Sequence, residues 1–215
     1  MQIPLQVRLK RQFQRDVAQL QDLLVETTYA LAPKAVMHGG TAIWRCFHGN
    51  RFSEDVDFYL PPPPAFQEAF AAHLENVNAH VTRFRKTPNS IYAKITRDRT
   101  TVSFEAALRK FNNPVVSDYE KADGTRIAVL TPSPEVLLKE KLNAFQNRKL
   151  IRDIYDVYHL SGNINISGEE RRLIFGQLET LPRPVDESNL KNIVLTGAIP
   201  AFEQMKQTLK KRFSP

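Results

Sequence analysis

The segment from residue 38 to residue 60 constrains the fold more than any other part of the chain. Gly39 and Gly40 follow a short apolar strand candidate, Ala35-Val36-Met37, and precede a helix candidate that begins at Thr41. Two glycines between a strand and a helix let backbone amides approach an anion closely, and the helix N-terminus favours phosphate. A Gly-Gly pair alone is more often a tight turn, so this interpretation depends on the residues that follow it.

Two acidic residues follow the glycines about 15 positions further along the chain. Asp55 and Asp57 alternate with Val56, Phe58 and Leu60, a pattern that predicts a strand with both carboxylates on one face. Two like charges so close repel each other, and a divalent cation is their usual partner. Oxygen ligands favour Mg²⁺ or Mn²⁺. An exposed strand face explains an isolated Asp-x-Asp, but the upstream glycines favour a metal–nucleotide site.

Other side chains extend this candidate site. The hydroxyl of Thr41 can add a hydrogen bond to a phosphate, and Arg51 and Ser53 lead directly into the acidic strand. A site for two metal ions normally includes a third carboxylate. Glu105 is the candidate, because it lies opposite the apolar residues of a predicted strand, and Asp98 in a predicted turn is the weaker alternative.

A second group of charged residues lies between positions 139 and 156. Its members are Lys139, Lys141, Arg148, Lys149, Arg152, Asp153 and Asp156. Spacings of 7 and 4 place Lys141, Arg148 and Arg152 on one face of a continuous helix, where cations can neutralise a triphosphate. A solvated basic face explains the same pattern equally well. Asp153 and Asp156 either orient these cations by ion pairing, or one of them acts as a base.

Periodicity predicts an α+β fold: a mixed sheet flanked by helices, followed by a helical C-terminal region. We expect two parts, residues 1–131 and residues 132–215. The predicted helices cover residues 5–30, 41–47, 65–79, 134–147, 150–161, 167–180, 188–195 and 199–213. The predicted strands cover residues 35–37, 56–60, 81–86, 90–97, 101–108 and 125–131. Residues 109–124 are expected to form a loop with at most a short strand at Val115-Val116, and Pro61–Pro64 a stiff bridge.

Composition narrows the class of protein. The 215 residues are 42% apolar and 25% charged, which excludes a disordered chain, and 30 basic against 23 acidic residues give a net charge of +7. Such a balance favours a polyanionic partner, although a solvated basic surface accounts for it equally well. Cys46 is the single cysteine, and no long apolar run or secretory signal is present. We therefore expect a cytoplasmic protein without a membrane span.

These motifs together resemble a known family. His38-Gly39-Gly40-Thr41-Ala42 followed by Arg51-Phe52-Ser53-Glu54-Asp55-Val56-Asp57 looks like the first motif of the AbiEii/AbiGii-type nucleotidyltransferases. Lys141-Leu142-Asn143-Ala144 and the segment from Arg148 to Asp156 resemble that family's later motifs. The family comprises toxins of abortive-infection and toxin–antitoxin systems, within the DNA polymerase β-like superfamily.

The resemblance implies a role for each motif. It implies Asp55 and Asp57 as metal ligands, Gly39, Gly40, Arg51 and Ser53 at the phosphates, and Lys141 at the nucleotide. It also implies transfer of a nucleoside monophosphate from a nucleoside triphosphate to an acceptor hydroxyl, with the tRNA 3′ end as an acceptor and a separate antitoxin protein as a partner. The helical C-terminal region would complete the active-site cleft.

The resulting hypothesis is a nucleotidyltransferase that uses Mg²⁺ or Mn²⁺. Asp55, Asp57 and Glu105 hold the metal ions, Lys141 and Asp153 assist catalysis, and Thr41, Arg148 and Arg152 help to bind the nucleotide. The basic C-terminal tail, which contains Lys206, Lys210, Lys211 and Arg212, could hold an RNA backbone. The alternatives are a small-molecule nucleotidyltransferase of the antibiotic-modifying kind, a protein nucleotidyltransferase, or a protein that binds nucleotide or RNA without catalysis.

Overall fold

A computed structural model describes residues 3–61, 65–162, 164 and 166–214. The predicted proline bridge falls mainly on residues 62–64, outside this described part. The chain divides into two compact units. The first comprises Met1–Cys46 and Ser53–Pro132, and the second comprises Phe47–Phe52 and Ser133–Pro215. A short segment that precedes the acidic strand therefore belongs to the second unit.

Among the described residues, all seven strands and four of the α-helices belong to the first unit. In chain order its elements are α1 (Leu5–Arg8), α2 (Gln12–Leu31), β1 (Val36–His38), α3 (Gly39–Cys46), β2 (Val56–Tyr59), α4 (Phe66–Glu75), β3 (His80–Lys86), β4 (Ser90–Arg97), β5 (Thr100–Ala107), β6 (Val115–Glu120) and β7 (Arg126–Thr131). The single helix predicted for residues 5–30 is divided, because Leu9 leaves the helix in an extended conformation after α1. The helix and strand predictions over residues 35–107 are confirmed with shifts of a few residues at their ends.

Five strands form a mixed sheet in the order β1-β2-β5-β4-β3. Strands β2 and β5 run parallel, and the other neighbouring pairs are antiparallel. Alternation of apolar and polar residues buries one face against α2 and α4. Aromatic rings fill that interface: Tyr29 of α2 meets Phe58 edge-on at 5.8 Å, and Phe70 of α4 lies 5.0 Å from Phe104. The opposite face carries the polar residues of the same strands.

The loop predicted for residues 109–124 is wrong over residues 117–120, because the short strand expected at Val115-Val116 extends to Glu120. Strands β6 and β7 form a two-stranded antiparallel sheet, paired from Val115–Thr131 to Glu120–Arg126. Ser117 and Asp118 are two consecutive polar residues, and they interrupt the apolar–polar alternation that would have predicted a strand longer than Val115-Val116. The buried guanidinium of Arg45 stabilises this hairpin, because it donates to the backbone oxygen of Glu120 at 2.6 Å. The same guanidinium forms an ion pair with Asp22.

The second unit is helical, as the sequence predicts. Its elements are α5 (Pro134–Arg148), α6 (Ile151–Leu160), α7 (Gly168–Glu179), a 3₁₀ turn (Glu187–Asn189), α8 (Leu190–Ile193) and α9 (Phe202–Phe213). Ser133 and Pro134 begin α5, where a proline at the first helical position lacks only an amide that would have no partner. The helix predicted for residues 188–195 is shorter and starts as a 3₁₀ turn. No helix of the described residues is long and apolar enough to cross a membrane.

Candidate active site

Gly39 joins β1 to α3 in a conformation that requires glycine. Its φ of +75° lies in the left-handed region, and the carboxylate of Asp57 lies directly against its Cα. A Cβ built on Gly39 would overlap Oδ2 of Asp57 and would lie 2.8 Å from the carboxyl carbon. The glycine is therefore needed both for its backbone angle and for the space that Asp57 occupies. This contact brings the first of the predicted acids to the N-terminus of α3.

The sheet places a second acid beside Asp57. Asp57 pairs with His38 of β1 on one side and with Glu105 of β5 on the other. Residues directly opposite each other on neighbouring strands point to the same face, so these three side chains share the polar face of the sheet. The ring of His38 stacks on Tyr59 with centroids 3.9 Å apart. Glu105 is exposed and Asp57 is half-buried, so solvent can reach both acids.

Hydrogen bonds from two helices hold the loop that carries Ser53 and Asp55. Thr41, at the start of α3, is fully buried, and its hydroxyl donates to the backbone oxygen of Asp55 at 2.5 Å. The side-chain amide of Gln21 in α2 donates to the backbone oxygen of Ser53 at 2.8 Å. The hydroxyl of Thr41 thus helps to fix the loop, and its contact with a phosphate stays a prediction. Gln21 was not among the predicted site residues, although a glutamine on the apolar face of α2 is a recognisable signal.

The arrangement of the acids fits a divalent cation only in part. Asp57 and Glu105 share one row of the sheet, and carboxylate oxygens are the ligands that Mg²⁺ prefers. Among the described residues, however, no three histidine, cysteine or acidic side chains are grouped closely enough to hold a metal ion. The three-carboxylate set of Asp55, Asp57 and Glu105 therefore stays a prediction.

Arg51 forms a buried bidentate ion pair in the second unit. Its Nε and Nη2 donate to the two carboxylate oxygens of Asp156 in α6, at 2.6 and 2.7 Å. Nζ of Lys141 in α5 reaches the same carboxylate at 2.9 Å. All three side chains are at least nine-tenths buried. The arginine and lysine predicted to face phosphate thus share one aspartate.

Asp153 extends this network by one turn of α6. Arg148 donates two hydrogen bonds of 2.6 Å to the carboxylate of Asp153. Nζ of Lys141 lies 3.7 Å from the same carboxylate. Asp153 is fully buried and forms ion pairs with these cations. Ion pairing was one of the two roles that the sequence left open for it, the other being that of a base. A direct catalytic role for Asp153 stays a prediction. Arg152 lies on the same helix, and its Nε is buried without a hydrogen-bond partner.

Opposing effects set the charge of this network, which we call the ion-pair cluster: Arg51, Lys141, Arg148, Asp153 and Asp156. Burial raises the pKa of Asp156, but the charges of Arg51 and Lys141 outweigh burial and hold the pKa below its ordinary value. Burial similarly lowers the pKa of Arg51, and the contact with Asp156 outweighs it, so that pKa is raised. Both groups stay charged at neutral pH. Three cations against two carboxylates leave one net positive charge in the cluster.

The basic C-terminal tail makes intramolecular contacts. Lys206 donates to the backbone oxygen of Leu181 at 3.1 Å, and Lys210 lies 3.6 Å from Glu179. Arg212 donates to the hydroxyl of Ser161 at 2.7 Å. These cations help to hold α9 within the second unit, which weakens the expectation that they hold an RNA backbone.

Solved structures share this fold. MenT4, a nucleotidyltransferase toxin from Mycobacterium tuberculosis, aligns with a TM-score of 0.61 and 19% identity, over 92% of this chain and 82% of its own. JHP933 from Helicobacter pylori aligns with a TM-score of 0.67 and 17% identity, over 94% of this chain and 91% of its own. At such low identities the likeness establishes the fold alone. A search of curated protein sequences gives no significant match.

The family follows from the sequence itself. Residues 22–211 match the profile of the family described as "Nucleotidyl transferase AbiEii toxin, Type IV TA system". The chain is therefore a nucleotidyltransferase, in agreement with a glycine turn packed against a strand acid. It belongs to the AbiEii family of nucleotidyltransferase toxins, and the match runs through both units from the middle of α2 to near the end of α9.

Proposed function

We propose that this protein transfers a nucleoside monophosphate from a nucleoside triphosphate to a hydroxyl of an RNA acceptor, the tRNA 3′ end in particular. It would do so in the cytoplasm with Mg²⁺ or Mn²⁺, under the control of a cognate antitoxin. The observation that carries the proposal is the contact of the Asp57 carboxylate with the Cα of Gly39, with Glu105 beside it on β5. Through this contact, the backbone amides that favour an anion lie next to the acids Asp57 and Glu105.

The residues of the first unit have separate proposed roles. The backbone amides at Gly39 and Gly40 and the N-terminus of α3 would bind the triphosphate, since unpaired amides and the helix dipole favour anions. Ser53 would add a hydroxyl donor from the adjoining loop. Asp55, Asp57 and Glu105 would hold divalent cations. When bound, these cations would make the acceptor hydroxyl a better nucleophile and neutralise the departing pyrophosphate.

The structure suggests positioning roles for part of the ion-pair cluster. Arg51 and Arg148 each donate two hydrogen bonds to one aspartate, so their forks are already occupied. We propose that they hold Asp156 and Asp153, which in turn fix the ammonium of Lys141. Lys141 would then contact the nucleotide as a pre-oriented cation, with Arg152 as a second candidate. The net positive charge of the cluster favours an anionic ligand.

A transfer assay tests the proposed function. Purified protein is incubated with Mg²⁺ or Mn²⁺, each of the four α-labelled nucleoside triphosphates, total RNA and total protein, and then separated on a denaturing gel. We expect label on RNA of tRNA size, lost in Asp57→Asn and kept in Asp118→Asn, which removes a largely exposed acid of β6. Label on protein, or transfer only to an added small molecule, would contradict the RNA acceptor.

Near-native transfer by a folded Asp57→Asn variant would contradict the site itself. If no nucleotide gives any label, while the wild-type protein still binds nucleotide, the non-catalytic alternative is favoured.

A further inference from the structure

The row that contains Asp57 and Glu105 continues across the whole sheet. Glu105 pairs with Tyr92 of β4, and Tyr92 pairs with Arg85 of β3. Because opposed residues share a face, Asp57, Glu105, Tyr92 and Arg85 lie in one line on the polar face. The line starts at the candidate active site and ends at the edge strand β3.

Beyond Glu105 this face is cationic and open to solvent. Arg83 and Arg85 are exposed, and Lys94, which pairs with Arg83, is half-buried. Phe84 alternates with the two arginines and pairs with Ala93, which is buried in the core. A bulge between residues 81 and 83 leaves Arg83 and Arg85 on one face. The polar face therefore carries three cations on β3 and β4 and two acids on β2 and β5.

An aromatic ring lies among these cations. A depression of about 330 Å³ is lined by Arg83, Arg85, Thr87, Ser90 and Tyr92. The guanidinium of Arg83 lies 5.8 Å from the centroid of the Tyr92 ring. Arginine forks bind phosphate oxygens, and a half-exposed ring offers a surface for stacking of any base. This combination is typical of surfaces that bind single-stranded nucleic acid without reading its sequence.

We propose that Arg83, Arg85, Tyr92 and Lys94, here called the arginine–tyrosine surface, bind a single-stranded RNA acceptor just upstream of its reacting end. This inference rests on the proposed function and adds the acceptor's binding surface to it. The arginines contact backbone phosphates, and Tyr92 stacks on a base, so that the terminal hydroxyl lies over Asp57 and Glu105.

The dimensions of the sheet favour a polymer over a small molecule. Asp57 and Arg85 are three strand spacings apart, which corresponds to about 14 Å at ~4.8 Å per spacing. Stacked nucleotides rise ~3.4 Å each, so about four of them span this distance. A single nucleotide at Asp57 would not span this distance. The arginine–tyrosine surface therefore predicts a preference for acceptors several nucleotides long.

Binding of a labelled single-stranded RNA octamer, followed by fluorescence anisotropy at several salt concentrations, tests the surface. The full-length double variant Arg83→Gln/Arg85→Gln is compared with Lys10→Gln/Lys34→Gln, which removes two exposed cations elsewhere in the first unit. We expect the arginine variant to bind about ten-fold more weakly than the control. Its slope of log affinity against log salt should fall by about 1.4, since each phosphate contact in a single strand contributes ~0.7. Equal affinities and slopes for the two double variants would overturn the proposal.

Two further variants separate stacking from charge and folding from binding. Tyr92→Phe should keep the affinity of the wild type, whereas Tyr92→Leu should lose about ten-fold, because only the aromatic ring stacks on a base. The cationic edge of β3 also discourages pairing with other chains, so loss of both arginines could cause aggregation. Arg83→Lys/Arg85→Lys keeps that protection, and it should bind RNA better than the glutamine variant. Failure of either comparison in folded protein would overturn the surface.

The design distinguishes this inference from the proposed function. The binding assay needs no catalysis, so RNA binding through the arginine–tyrosine surface without any transfer would contradict only the proposed function. Transfer to RNA with an unchanged KM for RNA in Arg83→Gln/Arg85→Gln would contradict only the surface. Support for both requires a raised KM for RNA in that variant with an unchanged KM for the nucleoside triphosphate.

Discussion

Two pairs of acids in this protein have opposite environments. Asp57 and Glu105 lie in the first unit on an open sheet face, positioned by strand register and by the bare Cα of Gly39. Asp153 and Asp156 are buried in the second unit. Each accepts hydrogen bonds from an arginine and lies no more than 3.7 Å from the ammonium of Lys141. Strand register and the space at Gly39 place the first pair on the sheet, whereas the second pair belongs to a buried network of ion pairs.

The difference indicates which acids are available for chemistry. A carboxylate already bound by a bidentate arginine in a buried site has little capacity left for a ligand, and its removal leaves an uncompensated charge. A carboxylate that solvent can reach is also accessible to a divalent cation. This difference supports the proposed metal-binding roles of Asp57 and Glu105 and the proposed positioning roles of Asp153 and Asp156.

The largest effect expected from a single methyl group is at Gly39. Gly39→Ala places a Cβ within the carboxylate of Asp57 and forces alanine to φ +75°, so we expect transfer to fall at least about 100-fold. The strained backbone alone costs ~1–2 kcal/mol. Gly176→Ala is the matched control, because this glycine lies within α7 with no atom near its added Cβ. Initial rates of transfer check the pair, and equal rates would show that the Gly39 contact is unimportant.

Asp156→Ala should destabilise the protein more than any change at Asp57. It leaves Arg51 and Lys141 buried without their shared partner, so we expect the free energy of unfolding to fall by about 3–5 kcal/mol. Asp57→Asn keeps the size of the side chain that packs on Gly39, so we expect a smaller loss of about 1 kcal/mol, typical of single substitutions. Urea unfolding followed by circular dichroism measures both. A comparable loss in the two variants would remove the distinction between the two pairs of acids.

The same contrast explains how much could be predicted from the sequence. The alternation around Asp57 and the glycines before Thr41 are local patterns, so β1, α3 and β2 were predicted within a few residues. The neighbour of Asp57 was harder, because the parallel pairing of β2 with β5 joins segments almost 50 residues apart in the chain. Glu105 could be suggested as a third acid, whereas Tyr92 and Arg85 were not identified, because their place in the row depends on strand order.

The ion-pair cluster shows the limit of spacing arguments in a helical region. The spacing of Lys141, Arg148 and Arg152 suggested one face of a continuous helix, but Lys149 ends α5 in a left-handed conformation and α6 begins at Ile151. That turn directs Arg148 back to Asp153. Arg51 contributes from a segment about 100 residues upstream, which no local pattern indicates.

Thr41 tests the backbone framework of the first unit with a smaller change. Thr41→Val removes the hydroxyl that donates to the partly buried backbone oxygen of Asp55 and leaves that oxygen without this donor. We expect a loss of about 1–3 kcal/mol in stability and roughly ten-fold in transfer, because the acidic loop is no longer fixed. Thr41→Ser keeps the hydroxyl and should restore most of both. Equal transfer by the valine and serine variants would show that Asp55 needs no such support.

Acid titration gives the smallest effect and separates Asp156 from every other carboxyl group. Its pKa lies below the ordinary value of 3.8 because Arg51 and Lys141 outweigh burial, so the folded protein holds the charged form more strongly than the unfolded chain does. The resulting stability is fully present above pH 3.8 and is lost as the pH falls through the lower pKa of the folded state. Asp156→Asn lacks this contribution, while acids that make no contact with the ion-pair cluster titrate in both proteins and cancel in the difference.

We therefore expect the gap in unfolding free energy between the wild type and Asp156→Asn to be constant from pH 7 to about pH 5 and to narrow below pH 4. Urea unfolding of both proteins at each pH measures this gap. A gap for Asp156 that persists unchanged to low pH would show that its charge does not stabilise the cluster, and that shape and hydrogen bonding alone hold Arg51 and Lys141 in place.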